Sequence, residues 1–217
     1  MNKAHRPLDL EPSQPAVERA RRALADADPA QVAERAGCQL DSGGAAVIVP
    51  LLGRCYRMTF PGPQALDPDG KPAPGFIGDL LLLHLARADG ADVGGGWKTF
   101  RELPDGMFYH RAFQSYSGQA LVRAFGGDLD GFARAAAATG GAPAIYAAGK
   151  PEPIGDAGFR FLVLPRVLLA VAYWRGDDEF PPNAEVLFDR VADHYLPPDA
   201  LAVVGGWLAG QIIKRKG

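Results

Sequence analysis

The chain has 217 residues, 47% of them apolar, and a formal net charge of −2 at pH 7. This length suits a single domain with an ordinary hydrophobic core. The small net charge argues against a nucleic-acid-binding protein, which would need clustered Lys and Arg along the phosphate backbone. The basic run Lys214–Lys216 is typical of a helix C-terminus, where the helix dipole favours positive charge.

Cysteine content and hydropathy exclude further classes. Two cysteines, Cys38 and Cys55, are too few for a structural zinc site or an iron–sulfur cluster within one chain. Together with the lack of a signal peptide they predict reduced thiols in the cytoplasm. The longest apolar stretch, Phe76–Ala86, is interrupted by polar residues and is shorter than the ~20 residues that cross a bilayer. We therefore expect a soluble protein without a membrane segment.

The first part of the chain predicts an arm followed by two helices. Residues 1–14 have prolines and charges without periodicity, and predict a flexible arm before a domain at residues 15–217. Ala16–Ala36 predicts two helices divided at Asp28-Pro29, because Pro suits the first helical turn. Gly37 predicts the C-cap of the second helix.

A β-rich segment comes next. Ala45–Val49 and Cys55–Phe60 are short β-favouring runs bounded by glycines, and predict an antiparallel meander. The proline-rich residues 61–74 predict a loop, and Gly75–Ala88 predicts the most apolar helix of the chain. We expect the segment from 97 to 113 to be loop with one strand at Met107–His110.

The second half predicts helices, then strands, then helices. The predicted helices are 115–125 and 129–139, the strands 159–164 and 167–174, and the closing helices 182–196 and 198–214. Because this order lacks regular βαβ alternation, it predicts an α+β domain rather than a doubly wound α/β fold. We expect the four strands at 45–49, 55–60, 159–164 and 167–174 to form one mostly antiparallel sheet, covered by helices that include 75–88.

His84 is the first candidate functional residue. Its position on the predicted 75–88 helix lies on an apolar face, between those of Ile77 and Leu80. A buried imidazole needs partners for its nitrogens, and a backbone carbonyl is one such partner. The alternative is a pocket, in which His84 is a metal, haem or corrinoid ligand or a general base. We expect His84 to face a cavity walled by Trp97, Arg101 or Tyr109.

The segment from Trp97 to His110 is a second candidate. It combines aromatic residues with Arg101, whose planar guanidinium suits carboxylate or phosphate. The hypothesis is that Trp97, Arg101, Tyr109 and His110 line a cofactor pocket with His84. The alternative is a loop that packs its aromatic residues into the core and pairs Arg101 with an acid.

Two acidic features complete the candidates. Asp177, Asp178 and Glu179 follow a predicted strand and are possible metal ligands, although consecutive acids lack the alternate spacing of a calcium loop. We expect one of the three to be buried and bonded to Arg101, Arg166 or backbone amides; a solvated turn is the alternative. Glu185, Asp189 and Asp193 are spaced i, i+4, i+8 on the predicted 182–196 helix, which is typical of its solvent-exposed face, with His194 at the border.

Several segments in a fixed order carry a resemblance to a known family. They are Leu80–Leu85 with His84, Trp97–Gly106, Gly140-Gly141, and Gly176–Pro181 continuing to Asp189. In this order the chain resembles an uncharacterised bacterial and archaeal family, the domain of unknown function numbered 3786. Some members carry an N-terminal four-cysteine iron–sulfur module of the kind seen with corrinoid proteins, which this chain lacks. The resemblance implies an anaerobic or redox-cofactor setting and names no reaction.

Three functional hypotheses follow. The first is an accessory protein that binds a small molecule or cofactor near His84, with a tetrapyrrole (haem or corrinoid) as the leading ligand. The second is an enzyme that uses His84 or His194 with Asp177, Asp178 and Glu179 in acid–base or metal-assisted chemistry. The third is a module for protein–protein assembly.

Overall fold

The computed structural model describes residues 11–147 and 150–216, with only the backbone described at 145–147 and 150–153. Most of the predicted N-terminal arm lies outside this range. The first two helices, α1 (Gln14–Leu24) and α2 (Pro29–Ala36), are divided where the sequence predicts. The Asp28 carboxylate accepts a hydrogen bond from the Ala30 N–H at 3.0 Å, and Gly37 has a φ of 67°. This φ favours glycine and ends α2.

The predicted meander forms a four-stranded antiparallel sheet. Its strands, in sheet order, are β1 (Gln39–Leu40), β2 (Ala46–Leu51), β3 (Arg54–Thr59) and β4 (Ala65–Leu66). Val47, Val49 and Met58 are fully buried on its inner side. The apolar helix α3 (Gly75–Arg87) packs against α1 and α2, as well as against β4.

A second, five-stranded antiparallel sheet forms the other half of the structure. Its strands, in sheet order, are β5 (Trp97–Thr99), β11 (Asn183–Asp189), β10 (Val167–Trp174), β9 (Ala157–Leu164) and β6 (Ala142–Pro143). A small hairpin, β7 (Ile145–Ala147) and β8 (Lys150–Pro153), lies between β6 and β9 in the chain.

Helices cover one face of the five-stranded sheet. They are α4 (Gly106–Tyr116), α5 (Gly118–Phe125), α6 (Leu129–Ala138), the single turn α7 (Ala192–Tyr195) and α8 (Pro198–Ile213). Helix α8 packs against α4, α5 and α6, and α5 contacts β11. A single hydrophobic cluster includes Val47 and Met58 of the first sheet and Val171 and Val186 of the second.

This shared core confirms the α+β fold, but the prediction of one common sheet is wrong. The 45–49 and 55–60 runs are in the four-stranded sheet, and the 159–164 and 167–174 runs are in the five-stranded sheet. The reason is that other strands cover both edges of the β9–β10 pair, since residues 183–188 of β11 pair with β10 and β6 pairs with β9. A hydrogen bond from the Leu52 N–H to the Val163 carbonyl, 2.9 Å long, links the two sheets.

Two secondary-structure predictions are also wrong. Residues 183–189 form a strand rather than the start of a helix, since Ala184, Val186 and Phe188 alternate and bury one face on the core. Met107–His110 belong to the first turns of α4 rather than to a strand. Gly106 allows this helix to begin against the chain, because a Cβ there would lie 1.8 Å from the Phe100 carbonyl oxygen.

No helix within residues 11–147 and 150–216 combines the length and hydropathy of a bilayer span. Cys38 and Cys55 are both free thiols.

Candidate functional site

His84 is enclosed in the core rather than exposed to a pocket with the predicted partners. Its side chain has no exposed surface, and neither ring nitrogen has a hydrogen-bond partner among the described residues. Its ring stands 6.0 Å from the ring of Tyr195, centroid to centroid. Burial lowers the pKa of His84 to about 3, so the imidazole is neutral at pH 7. The alternative interpretation, a core histidine bonded to a backbone carbonyl, is right about the core position, but among the described residues no carbonyl bonds to the ring.

The Trp97–His110 segment divides its candidate residues between two environments. Trp97 is on β5, and its half-buried side chain packs against a small cluster on the sheet face away from the main core, formed by Ala144, Ile154, Ala170, Ala172 and Leu187. Arg101 is exposed on a 3₁₀ turn, which is capped by bonds from the Thr99 N–H and hydroxyl to Glu102.

His110 and Tyr109 lie on different sides of α4. The Nδ1 atom of His110 is buried without a hydrogen-bond partner in the described part of the chain. Burial lowers the pKa of His110, and the positive charge of Arg101 lowers it further. Tyr109 lines a cleft between α4 and the beginning of α8, which His110 and His84 do not line.

This cleft, which we call the α4–α8 cleft, has a volume of about 370 Å³ and a predominantly apolar wall. The α4 residues Tyr109, Ala112 and Tyr116 share one helix face because their spacing follows the helical repeat, and Asp105 precedes the helix as its N-cap. The complete lining is Glu11, Phe100, Pro104, Asp105, Gly106, Tyr109, Ala112, Tyr116, Pro198, Asp199, Ala202 and Val203.

Tyr116 is half-buried at the cleft wall and is fixed by packing on two sides. Its ring meets the Phe113 ring edge to face, with centroids 5.7 Å apart, and Phe113 in turn stacks on Phe100 at 4.4 Å. On the other side, a Cβ at Gly206 would lie 2.7 Å from the Tyr116 ring, so glycine is needed for this approach.

The Tyr116 hydroxyl belongs to one of the residues that line the cleft. It makes no hydrogen bond to the described part of the protein, and burial raises its pKa to about 12. The phenol therefore stays protonated at physiological pH and can both donate and accept.

Three carboxylates stand at the cleft: Glu11, Asp105 and Asp199. Asp199 is held in place by two backbone donors, the Ser13 N–H at 2.8 Å and the Ala200 N–H at 2.9 Å. The Asp105 side chain makes no capping bond at the start of α4. None of the described residues that line the cleft is basic.

The acidic turn does not provide a buried carboxylate. Asp177, Asp178 and Glu179 are all exposed, so the expectation that one would be buried is wrong. Asp177 accepts hydrogen bonds from the Glu179 and Phe180 N–H groups at 2.9 and 2.8 Å, and the turn closes on itself at the surface. Among the described residues, no three His, Cys, Asp or Glu side chains come together to hold a metal ion.

The acidic stripe of the predicted helix does not form either, because its members lie on β11 and beyond it. Asp189 is buried and accepts hydrogen bonds from the Gly94 and Val191 N–H groups, at 2.7 and 3.1 Å. His194 follows the strand, and its Nδ1 is 2.6 Å from the Asp89 carboxylate. Since the acidic turn precedes β11, the length of the strand, about 20 Å, separates it from His194.

A family described as Domain of unknown function (DUF3786) matches residues 28–211. The chain belongs to this family. The comparisons found no matching curated protein and no matching solved structure. The DUF3786 match contains α4 and α8 up to residue 211, and thus every lining residue of the cleft except Glu11.

Sequence reasoning selected Tyr109 of the cleft but missed most of its wall. The missed residues include Tyr116 and the α8 residues Pro198, Ala202 and Val203. A signal was present, since Tyr109, Ala112 and Tyr116 recur at helical spacing once 106–116 is taken as a helix. The α8 contribution had no local signal, because it depends on how α8 packs on α4.

Proposed function

We propose that this protein binds a small organic molecule in the α4–α8 cleft. The observation that carries the proposal is an apolar recess of about 370 Å³ with the unbonded Tyr116 hydroxyl at its wall. Ligand sites combine such concave apolar surface with a few polar groups, and this volume is within their usual range. The proposal keeps the ligand-binding hypothesis and moves its site from His84 to the cleft.

Tetrapyrrole binding at His84 remains a prediction without structural support. A haem or corrinoid needs an open face of the imidazole for coordination and space for the macrocycle. The His84 ring is fully enclosed. Coordination would therefore require α3 to separate from its neighbours, and we assign no role to a tetrapyrrole here.

Binding of a neutral fluorescent probe, N-phenyl-1-naphthylamine, tests the proposal. We expect saturable binding of one probe per chain. Ala112 is exposed and lines the cleft, so Ala112→Trp fills the recess without disturbing the core. We expect this variant to bind the probe at least about tenfold more weakly, which corresponds to about 1.4 kcal/mol.

Ala137→Trp is the matched control, since Ala137 is an exposed alanine on α6 that does not line the cleft. It should bind the probe like the parent, and both variants should keep the parent melting temperature. Equal binding by the parent and Ala112→Trp would contradict the proposal.

The assembly hypothesis is favoured by one observation. Met107 and Phe108 on the first turn of α4 are 69% and 83% exposed, and exposed large apolar side chains are typical of contact surfaces. If this surface mediates assembly, the purified protein should form concentration-dependent oligomers in light scattering. The double change Met107→Ser and Phe108→Ser should then give monomers, whereas monomers at all concentrations would contradict self-assembly.

No comparable observation among the described residues favours the enzyme hypothesis. His194 is paired with Asp89, His84 has no titratable partner within hydrogen-bonding distance, and the acidic turn lies at the opposite end of β11 from His194.

A further inference from the structure

The charge at the cleft restricts the ligands that it can take. Its lining includes three carboxylates, Glu11, Asp105 and Asp199, and no basic side chain among the described residues. The whole chain, by contrast, has nearly equal numbers of acidic and basic residues, 25 and 23. The cleft is therefore much more negative than the average surface.

Two helix N-termini partly oppose this negative charge. Helices α4 and α8 both begin at the cleft, with Gly106 and Pro198 among its lining residues. A helix N-terminus is equivalent to roughly half a positive charge, so the two together contribute about +1. Against three carboxylates this leaves the cleft with roughly two negative charges, and the carboxylates determine the sign.

The aromatic wall favours the same kind of ligand. Tyr109, which is 65% exposed, and the half-buried Tyr116 both line the recess. Aromatic faces attract cations within about 6 Å of the ring centre. An anion would find no basic side chain among the described lining residues, and the nearby carboxylates outweigh the positive helix N-termini.

We infer that the α4–α8 cleft binds an organic cation: an amine or quaternary ammonium group attached to an apolar body. The apolar body fills the recess, and the cationic group lies near Asp105 and the tyrosine rings. This inference rests on the proposed function, since it names the chemical class of the ligand for the same site.

Three probes of the same shape test the inference by competition with N-phenyl-1-naphthylamine. They are 2-naphthylmethylamine in its ammonium form, naphthalene-2-methanol and 2-naphthoate, which are cationic, neutral and anionic at pH 7 and nearly equal in size. We expect the cationic probe to displace the dye at a concentration at least about fivefold lower than the concentration of alcohol that does so. The carboxylate probe should require the highest concentration. Raising the salt concentration should weaken binding of the cationic probe and leave binding of the neutral probe unchanged.

Asp105→Asn is the decisive variant, since Asn keeps the shape and tolerates the φ of 58° at this position. This variant should weaken binding of the cationic probe by about two- to fivefold and leave binding of the alcohol unchanged. Asp178→Asn removes an exposed carboxylate outside the cleft and should change the binding of neither probe.

The two proposals fail in different ways. If the dye and the alcohol bind but the cation has no advantage, the inference is wrong and the binding proposal stands. A preference for 2-naphthoate, or equal loss of all probes in Asp105→Asn, would also overturn the inference. If no probe binds, both are wrong. Dye binding that weakens as the protein concentration rises would mean that a second copy fills the cleft, which overturns the inference too.

Discussion

At the scale of single residues, His84 is the least satisfied polar group among the described side chains. Both ring nitrogens are buried without partners, and each such group typically costs about 1–3 kcal/mol. His84→Leu would remove this cost and keep an apolar side chain of similar size. We expect the variant to unfold at higher urea concentration than the parent at pH 7.

The pH dependence of stability provides an independent prediction. The pKa of His84 is about 3 in the folded protein and about 6.5 in the unfolded chain. As the pH falls below 6.5, the unfolded chain binds a proton that the folded protein excludes, so stability decreases down to pH 3. At pH 5 the loss is about 2 kcal/mol relative to pH 7. Urea denaturation at both pH values should show a smaller loss in His84→Leu by about that amount.

His194→Leu is the control, because His194 is exposed and paired with Asp89. It should not reproduce the gain in stability of His84→Leu at pH 7. If His84→Leu is less stable than the parent, the imidazole has a partner that stabilises the fold, and its interpretation as an unsatisfied core residue is wrong.

At the scale of elements, contacts between elements depend on glycines that let backbones approach. Gly118 at the start of α5 is one, because a Cβ there would lie 2.0 Å from the Ala184 carbonyl oxygen of β11. We expect Gly118→Ala to lower the free energy of unfolding by about 1–3 kcal/mol or more, since backbone atoms have to move. Gly127→Ala, where a Cβ meets nothing within 4 Å, should stay within about 0.5 kcal/mol of the parent. If the two variants are equally stable in chemical denaturation, α5 lies farther from β11 than the structure shows.

At the scale of the whole molecule, the two sheets should unfold together because one hydrophobic cluster spans both. The three tryptophans, Trp97, Trp174 and Trp207, are on the five-stranded sheet and α8. Met58 is fully buried in the four-stranded sheet. Met58→Ala should therefore lower the melting temperature seen by tryptophan fluorescence, with a cost of about 2–5 kcal/mol.

The exposed Leu162 of β9 provides the comparison, and Leu162→Ala should have little effect. If Met58→Ala produces an early transition in circular dichroism and leaves the tryptophan transition in place, the two sheets unfold separately.

Local chemistry determined most elements of this protein in advance. Pro29 and Gly37 bound α2 because one suits a first helical turn and the other a left-handed end. The β-favouring run that became β2 pairs with its neighbour β3 across a short turn, which needs no distant partner. The apolar run of α3 predicted a buried helix, which the structure has, although we expected His84 on this helix to face a cavity and it is enclosed in the core.

Tertiary structure decided what depends on distant partners. Residues 183–189 have apolar positions that fit a helix or a strand, and pairing with β10 selected the strand. That pairing also separated the two sheets and placed the acidic turn and His194 at opposite ends of β11. The cleft joins 104–116 to 198–203, which are far apart in the chain, so packing of α8 on α4 created it. Periodicity shows which face of a helix is apolar, but only packing determines which surface that face meets.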